Sequence, residues 1–542
     1  MELQPSVRAA FPSTSDSHAE NKNIPLSLLT FGVCFGIYTL LIAAYLAPRN
    51  AVENLDYWYQ TSIGLRATWT EPSSLVDGFY PIGYPVLLAF AIRTGLDVLR
   101  FGQILSWFGG ALALIAVFRM TYRSSNLVGA SLSILLLLTN FYFLYFCAYE
   151  GTDMLSAGLQ LSALALLWEL DPQQPFKRAI LRTALIGTLI GLAYLVRYTA
   201  LLLVPCAFLV IALHYRRSIK ACTYLLGILI GTFFGAAAVQ IVPSLLVHHR
   251  LFYNTQPKNV WFGIYGNMDW NYAWASVPNT ITLGEVIALD PWKFITHCWQ
   301  QLSAYVSSPP QWTASLHVAW MIGIVVLLFT KRVSLIQWLL LCLFMVLTVG
   351  ATAMAWLLPR FLITVLVCQA LIIAAMAEQI TRVAKGGVLR WCLLVALCGV
   401  ILYGSAGNMV IAWLKTPPRT EPVAVNALLR EAGMLDPREV AANDPYLHAT
   451  DVPVRTEYTQ LHAFAVKPTH IDEILQHALA QQWKYLVIDY ASVFGDYQAI
   501  DPQGSEVQMK LTLLQQTEQQ FIFCINPCRP QAQSILNVRP KQ

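Results

Sequence analysis

The sequence predicts a polytopic α-helical membrane protein with about 11 transmembrane helices, external juxtamembrane helices and a small C-terminal α/β extracytoplasmic domain. Three observations carry that expectation. Of 542 residues, 12% are charged and 56% are hydrophobic, whereas soluble domains carry about 25% charge. Apolar runs long enough to cross about 30 Å of hydrocarbon, at about 1.5 Å per residue, recur along the chain. Basic residues gather in alternate short loops between those runs, as the positive-inside rule requires.

The elements follow in order. Residues 1–23, polar and containing "PSTSDSH", read as a disordered cytoplasmic lead. The run at 24–47 is longer than the roughly 7 to 15 residues of a cleaved signal's apolar core, so it reads as a retained anchor. Further spans are expected at 99–118, 126–147, 152–170, 183–197, 199–215, 221–247, 314–330, 334–357, 361–381 and 391–413. Residues 24–413 thus form a transmembrane domain with long loops at 48–98 and 248–313, and no internal repeat is visible. "KTPPRTEP" is the expected linker to a separate unit at 414–542. In that unit "VAVNALLREAGM" and "HIDEILQHALAQQW" have helical periodicity, whereas "EVAAND", "KYLVID" and "FIFCIN" are apolar runs of strand length.

With the N-terminus inside, thirteen Lys and Arg residues between Arg119 and Arg390 fall in short loops on that face. The opposite short turns hold only Arg197 and Arg360, at their margins. The long loops and the tail are therefore expected outside a plasma or inner membrane. Of 11 cysteines, nine lie in or beside apolar spans, where a thiol behaves as a small hydrophobe. Cys524 and Cys528, in "FIFCINPCRP", fit a disulfide and two unlinked thiols equally well. No zinc-ligand pattern occurs.

Chemistry is expected where ionisable groups meet the outer membrane surface. In "ENLDYWYQ", Glu53 and Asp56 are three apart and share a helix face, while Tyr57, Trp58 and Tyr59 suit a helix lying among headgroups. A plain solvated segment explains the same residues. "DGFYPIGYPVLLAFA" sets Gly78, Pro81, Gly83 and Pro85 before an apolar run and predicts a bent re-entrant turn. Its Tyr80 and Tyr84 either offer hydroxyls to a substrate or belong to an interfacial aromatic belt.

In "CAYEGTDMLSAGLQL", Glu150 and Asp153 stand again at i and i+3, and Asp153 also suits a helix N-terminus. Charge at membrane depth costs about 2.5 to 3.5 kcal/mol, so such carboxylates face a cavity or a partner. Arg197, in "GLAYLVRYTALLLVP", and Arg360, in "LLPRFLITVL", stand outside the inside-positive set. A guanidinium's planar fork matches phosphate; snorkelling to lipid phosphates, or pairing with Glu150 or Asp153, is the other reading. The loop "NTQPKNVWFGIYGNMDWNYAWASVPN" mixes Trp and Tyr with amides, as either a substrate lid or an interfacial anchor would.

Taken in this order the motifs resemble the GT-C membrane glycosyltransferases, in particular the protein O-mannosyltransferase and aminoarabinose transferase relatives. The resemblance covers most of residues 24–415 and rests on succession: "ENLDYWY", "FYPIGYPVLLA", "YEGTDMLSAGL", "GLAYLVRYTALLLVP" and "PRFLITVL". It implies transfer of a sugar from a polyprenyl-phosphate donor, within membrane lipid, to an acceptor glycan, lipid or protein on the outer face. In those families an acid of the first external loop acts at the reaction centre, and the matching position is Asp56. Asp153 is a looser second acidic position, with Glu150 beside it to orient the acceptor or share a metal. Arg197 and Arg360 are the expected donor-phosphate ligands; Glu53, Tyr57, Tyr80 and Tyr84 are the expected substrate contacts.

The families often carry adjacent acids in that loop, whereas here Tyr57 follows Asp56 and Glu53 lies upstream. A divalent metal is therefore possible but not required by the sequence. No nucleotide-binding signature occurs, and no nucleic-acid partner is expected. Two other functions share the same features: a lipid-linked glycan polymerase, and a transporter or flippase of lipid-linked sugars. The latter class places charge near mid-membrane and often carries inverted repeats.

Overall fold

The computed structural model describes residues 24–46, 76–266, 277–307, 314–330 and 333–383, less a few single positions, together with short segments after 383. The chain opens with α1 (Ile24–Leu40), which continues as a π-helical turn to Leu46. After α2 (Gly83–Arg93) come α3 (Val98–Ser124), α4 (Leu127–Leu138), α5 (Phe141–Ala148), α6 (Thr152–Trp168) and α7 (Phe176–Val196). A 3₁₀ turn, Tyr198–Leu202, leads into α8 (Leu203–Tyr215), followed by the long α9 (Ile219–His248). Three shorter helices follow: α10 (Gln256–Tyr265), α11 (Leu283–Leu289) and α12 (Pro291–Ser307). The described bundle closes with α13 (Ala314–Thr330), α14 (Leu335–Ala353), the 3₁₀ turn Pro359–Leu362 and α15 (Ile363–Val383).

Among the described residues seven helical segments are long and apolar enough to cross a membrane, and the bent pair α4–α5 makes eight. This is an integral membrane protein. The run expected at 126–147 is two helices meeting at 69°. The sequence explains the break: the Asn140 side chain accepts the Phe143 N–H at 3.0 Å and so restarts the helix. The runs expected at 152–170 and 314–330 fall on helices of 17 residues each. The run expected at 391–413 lies largely outside the described residues.

α6 and α15 are the most buried of the described helices; α3, α4, α7 and α8 each pack against one or both of them, and α9 packs on α7 and α8. Small residues let backbones meet, as membrane packing favours where no hydrophobic force drives helices together. A Cβ on Gly158 of α6 would stand 2.2 Å from the Gly109 carbonyl oxygen of α3, so both positions need glycine. Gly187 and Gly191 of α7 meet the α9 backbone at Leu229 and Phe233 in the same way.

Beyond the helices, among the described residues, four strands form one sheet: β1 (Val440–Ala442), β2 (Tyr485–Asp489), β3 (Leu511–Gln516) and β4 (Gln520–Ile525), in the order β1-β2-β4-β3. β1 runs parallel to β2, and the other pairings are antiparallel. Three of these strands are the apolar runs expected from the sequence; β3, in "KLTLLQQ", carries too many polar residues to stand out. Cys524, on β4, is disulfide-bonded, its partner lying outside the described residues.

Candidate functional site

The site is assembled from four helix ends. Asp153 lies in the first turn of α6, where the free amides of a helix N-terminus favour a carboxylate. Ser156 and Gln160 follow at i+3 and i+7, so a polar stripe runs down an otherwise apolar helix. Gln160 donates to Ser156 at 2.9 Å, which satisfies both groups in a buried setting.

Arg197 stands at the joint between α7 and the 3₁₀ turn, with extended backbone at φ −150° and ψ 136°. Pro205 lies just beyond and has no N–H to offer Leu201, so a break here costs the helix less. The joint frees Arg197 to reach Asp153, with which it forms an ion pair; the Asp153 side chain is almost wholly buried and that of Arg197 largely so. Arg360 arrives from the other side on the turn begun by Pro359.

Between the two arginines is Phe361. The guanidinium carbon of Arg197 lies 4.7 Å from the centre of its ring and that of Arg360 lies 4.8 Å from it, both within cation–π range. These residues, with Thr199, Thr348, Ile363 and Thr364, line a narrow cleft. Among the described residues, two guanidiniums and several hydroxyls beside a single carboxylate give the cleft a net attraction for anions.

Glu150 takes a different position. It is fully buried, and the Tyr84 hydroxyl donates to its Oε1 at 2.5 Å. A Cβ on Gly102 of α3 would stand 2.4 Å from Glu150 Cγ, so this pair is packed directly against the helix backbone. Tyr84 itself is fully buried on α2. The Glu150–Tyr84 bond therefore fastens α2 and the turn before it to the bundle, and neither residue lines the cleft.

A second clasp holds the same segment. The Ile82 N–H donates to buried Gln240 Oε1 at 2.9 Å, Gln256 Nε2 donates to the Phe79 carbonyl at 2.9 Å, and Thr255 N–H to the Gly78 carbonyl at 2.9 Å. Gly78 has φ +87°, and a Cβ there would meet the Tyr253 ring at 2.6 Å. Tyr80 is half-buried with its ring edge-on to Phe79 at 4.8 Å.

Of the residues expected from sequence, the structure thus brings Asp153, Arg197 and Arg360 together, sets Glu150 just before α6 where it bonds Tyr84 of α2, and leaves Tyr80 on the turn that precedes α2. Glu53, Asp56 and Tyr57 lie outside the described residues. Phe361, Gln160, Ser156 and Thr348 escaped the sequence reading. The stripe Asp153, Ser156, Gln160 was visible in the spacing; Phe361 beside Arg360 carried no signal that distinguished it from packing. Among the described residues no group of three or more His, Cys, Asp or Glu could hold a metal ion.

Comparison with protein-family models and with curated proteins finds no match. Solved structures do match. The oligosaccharyltransferase of Archaeoglobus fulgidus, tethered with an acceptor peptide containing the NVT sequon, aligns with TM-score 0.55 and 12% identity over 86% of this chain and 69% of its own. The same enzyme in complex with Zn and sulfate aligns with TM-score 0.53 and 13% identity over 85% of this chain and 68% of its own.

The fold is that of the GT-C membrane glycosyltransferases. ArnT from Cupriavidus metallidurans bound to undecaprenyl phosphate also aligns, with TM-score 0.49 and 12% identity over 92% of this chain and 97% of its own. On this GT-C fold the cleft is built at the meeting of α6, α7, α14 and α15, and α2 is docked beside α6 through the bond from Tyr84 to Glu150.

Proposed function

We propose that the chain is a glycosyltransferase that moves a sugar from a polyprenyl-phosphate-linked donor to an acceptor on the extracytoplasmic face. The observation that carries this reading is the approach of Arg197 and Arg360 to one ring beside buried Asp153. In the reaction the acceptor hydroxyl oxygen attacks the anomeric carbon, the bond from that carbon to the phosphate oxygen breaks, and the electron pair stays on the phosphate. The two guanidiniums stabilise the charge that builds there. A carboxylate accepts the proton of the attacking hydroxyl.

Asp56 is the proposed base. Asp153 is already engaged by Arg197, so its part is to hold that guanidinium in the cleft. Glu150, bonded to Tyr84, is given the part of fixing the re-entrant turn next to the acceptor's path. The GT-C fold supports membrane-embedded glycosyl transfer as the chemistry; the donor sugar and the acceptor are left to experiment.

The test is a screen of polyprenyl-phosphate sugars against the purified chain in vesicles, with mass spectrometry reading loss of the saccharide. One donor should be turned over, and Asp56→Asn should cut that turnover by about 10²-fold or more while the protein stays folded. Full turnover by the Asp56 variant removes it as the base. No turnover of any polyprenyl-phosphate sugar by the parent chain overturns the reading.

A further inference from the structure

α12 presents three different faces. Trp292, Ile295, Trp299 and Val306 recur at i, i+3, i+7 and i+14, hence on one side, and are 75%, 51%, 70% and 53% exposed. Thr296, Gln300, Ser303 and Ser307 form an exposed polar flank beside that stripe. The third side is turned to the protein. There His297 Nε2 lies 2.7 Å from the Ala355 carbonyl oxygen, the Leu357 N–H donates to Gln301 Oε1 at 3.1 Å, and Gln369 donates to the Tyr305 hydroxyl at 3.0 Å.

Ala355 and Leu357 belong to the connection that leads from α14 to Arg360. The same end of α12 is tied to α13, where His317 Nε2 lies 2.9 Å from the Val306 carbonyl oxygen. α13 exposes its own stripe of Val318, Ile322, Val325 and Phe329, the side that an apolar spanning helix turns to hydrocarbon. An apolar stripe rich in Trp, bordered by a polar flank and joined to a lipid-facing surface, matches the boundary between acyl chains and headgroups.

We propose that α12 lies in the phospholipid headgroup layer at the cleft end of the bundle and fixes Arg360 at that depth. The occupant of the exposed stripe is lipid. Its consequence for catalysis, holding a phosphate-binding arginine level with the headgroups from which a lipid-linked donor approaches, rests on the function proposed above.

The full-length chain in phosphatidylcholine vesicles tests the first part, with a dansyl amino acid placed at position 299 or, separately, at 300. Brominated lipid should quench the probe at 299 about three-fold or more above that at 300, and aqueous iodide the reverse. Quenching at 299 by iodide but not by brominated lipid means the stripe faces water and overturns the proposal. Shielding of 299 from both quenchers means that protein covers it, which also overturns it.

Gln301→Ala tests the positioning. It leaves the stripe intact and removes the acceptor for the Leu357 N–H. Lipid quenching should stay unchanged, while KM for the donor rises about ten-fold at constant kcat. Gln301→Glu keeps an acceptor oxygen and should restore the parent KM. A fall in kcat with KM unchanged, or no rescue by Glu, overturns positioning by Gln301. A parent chain inactive on every donor defeats the glycosyltransferase reading instead, and the quenching result stands apart from it.

Discussion

Asp153 and Arg197 pair opposite charges on largely buried side chains, and that makes their substitutions unequal to those of an exposed pair. Arg197→Ala leaves a buried carboxylate without its cation, so about 3–5 kcal/mol of stability should be lost, read as a lowered midpoint of thermal unfolding in detergent. Arg360→Gln keeps size and hydrogen bonding but removes the charge. It should weaken polyprenyl-phosphate binding about ten-fold or more with the midpoint nearly unchanged, measured by titration of the lipid. Tyr84→Phe removes the 2.5 Å bond to Glu150 and should cost about 1–3 kcal/mol, with a smaller effect on turnover than Arg360→Gln. The candidate residues were legible from type alone: two arginines outside the basic set of the short loops, and an acid at a helix start, are expected to mark a site by the cost of placing charge at membrane depth. The partition of Glu150 from Asp153 was not legible. Three residues apart on paper, they fall on either side of the start of α6, where helical spacing no longer relates them.

At the level of helices, glycine separates two kinds of surface. Gly158→Ala would push α6 off α3 and carry Asp153 with it; a loss of about 1–3 kcal/mol and of activity is expected. Gly231→Ala, on α9, meets open space and should be neutral or gain up to about 1 kcal/mol from helix propensity. The two variants compared by unfolding in the same detergent separate packing from propensity. α11 gives a pH test. Thr282 and Glu285 form a capping box, and the Thr282 N–H, then its hydroxyl, hold the Glu285 carboxyl below the usual carboxylate range. A depressed folded-state pKa contributes stability above the unfolded pKa that is lost as pH falls through the folded value. Protection of the α11 amides, read as the ratio of intrinsic to observed exchange, should therefore fall as pH drops below the usual carboxylate range, and Glu285→Gln should flatten that response. Helix positions were readable from apolar runs because their length is fixed by the bilayer. The 69° break within 126–147 was hidden because both halves are equally apolar; only Asn140 marks it.

Across the whole molecule the two ends of α6 carry opposite chemistry. One end holds Asp153 and the cleft; at the other, Glu169 accepts two hydrogen bonds from Arg119, at 3.0 and 2.6 Å, and lies 3.8 Å from Arg182. Arg119 and Arg182 belong to the basic set that predicts the cytoplasmic face, so cleft and basic loops occupy opposite ends. An impermeant amine reagent applied to sealed right-side-out vesicles should modify Lys293 and spare Lys177, as read by peptide mass spectrometry; the reverse pattern inverts the proposed orientation. The succession of motifs conveyed the GT-C fold although identity with the solved structures is only 12–13%, because bilayer thickness and charge asymmetry constrain such a chain more tightly than side-chain identity does. That Arg197 and Arg360 serve one site was an expectation of the sequence; that they converge on the Phe361 ring was not, since it depends on which helices cross.

The bond from Ile82 to Gln240 spans 158 positions of chain. A ribosome adding about 5–20 residues per second needs roughly 8 to 30 s to deliver the second partner after the first. Until then the newborn Gly78–Ile82 turn lacks its clasp, and the translocon or a chaperone must shelter its exposed amides. Damage to Gln240 should therefore show first as poor yield during biogenesis.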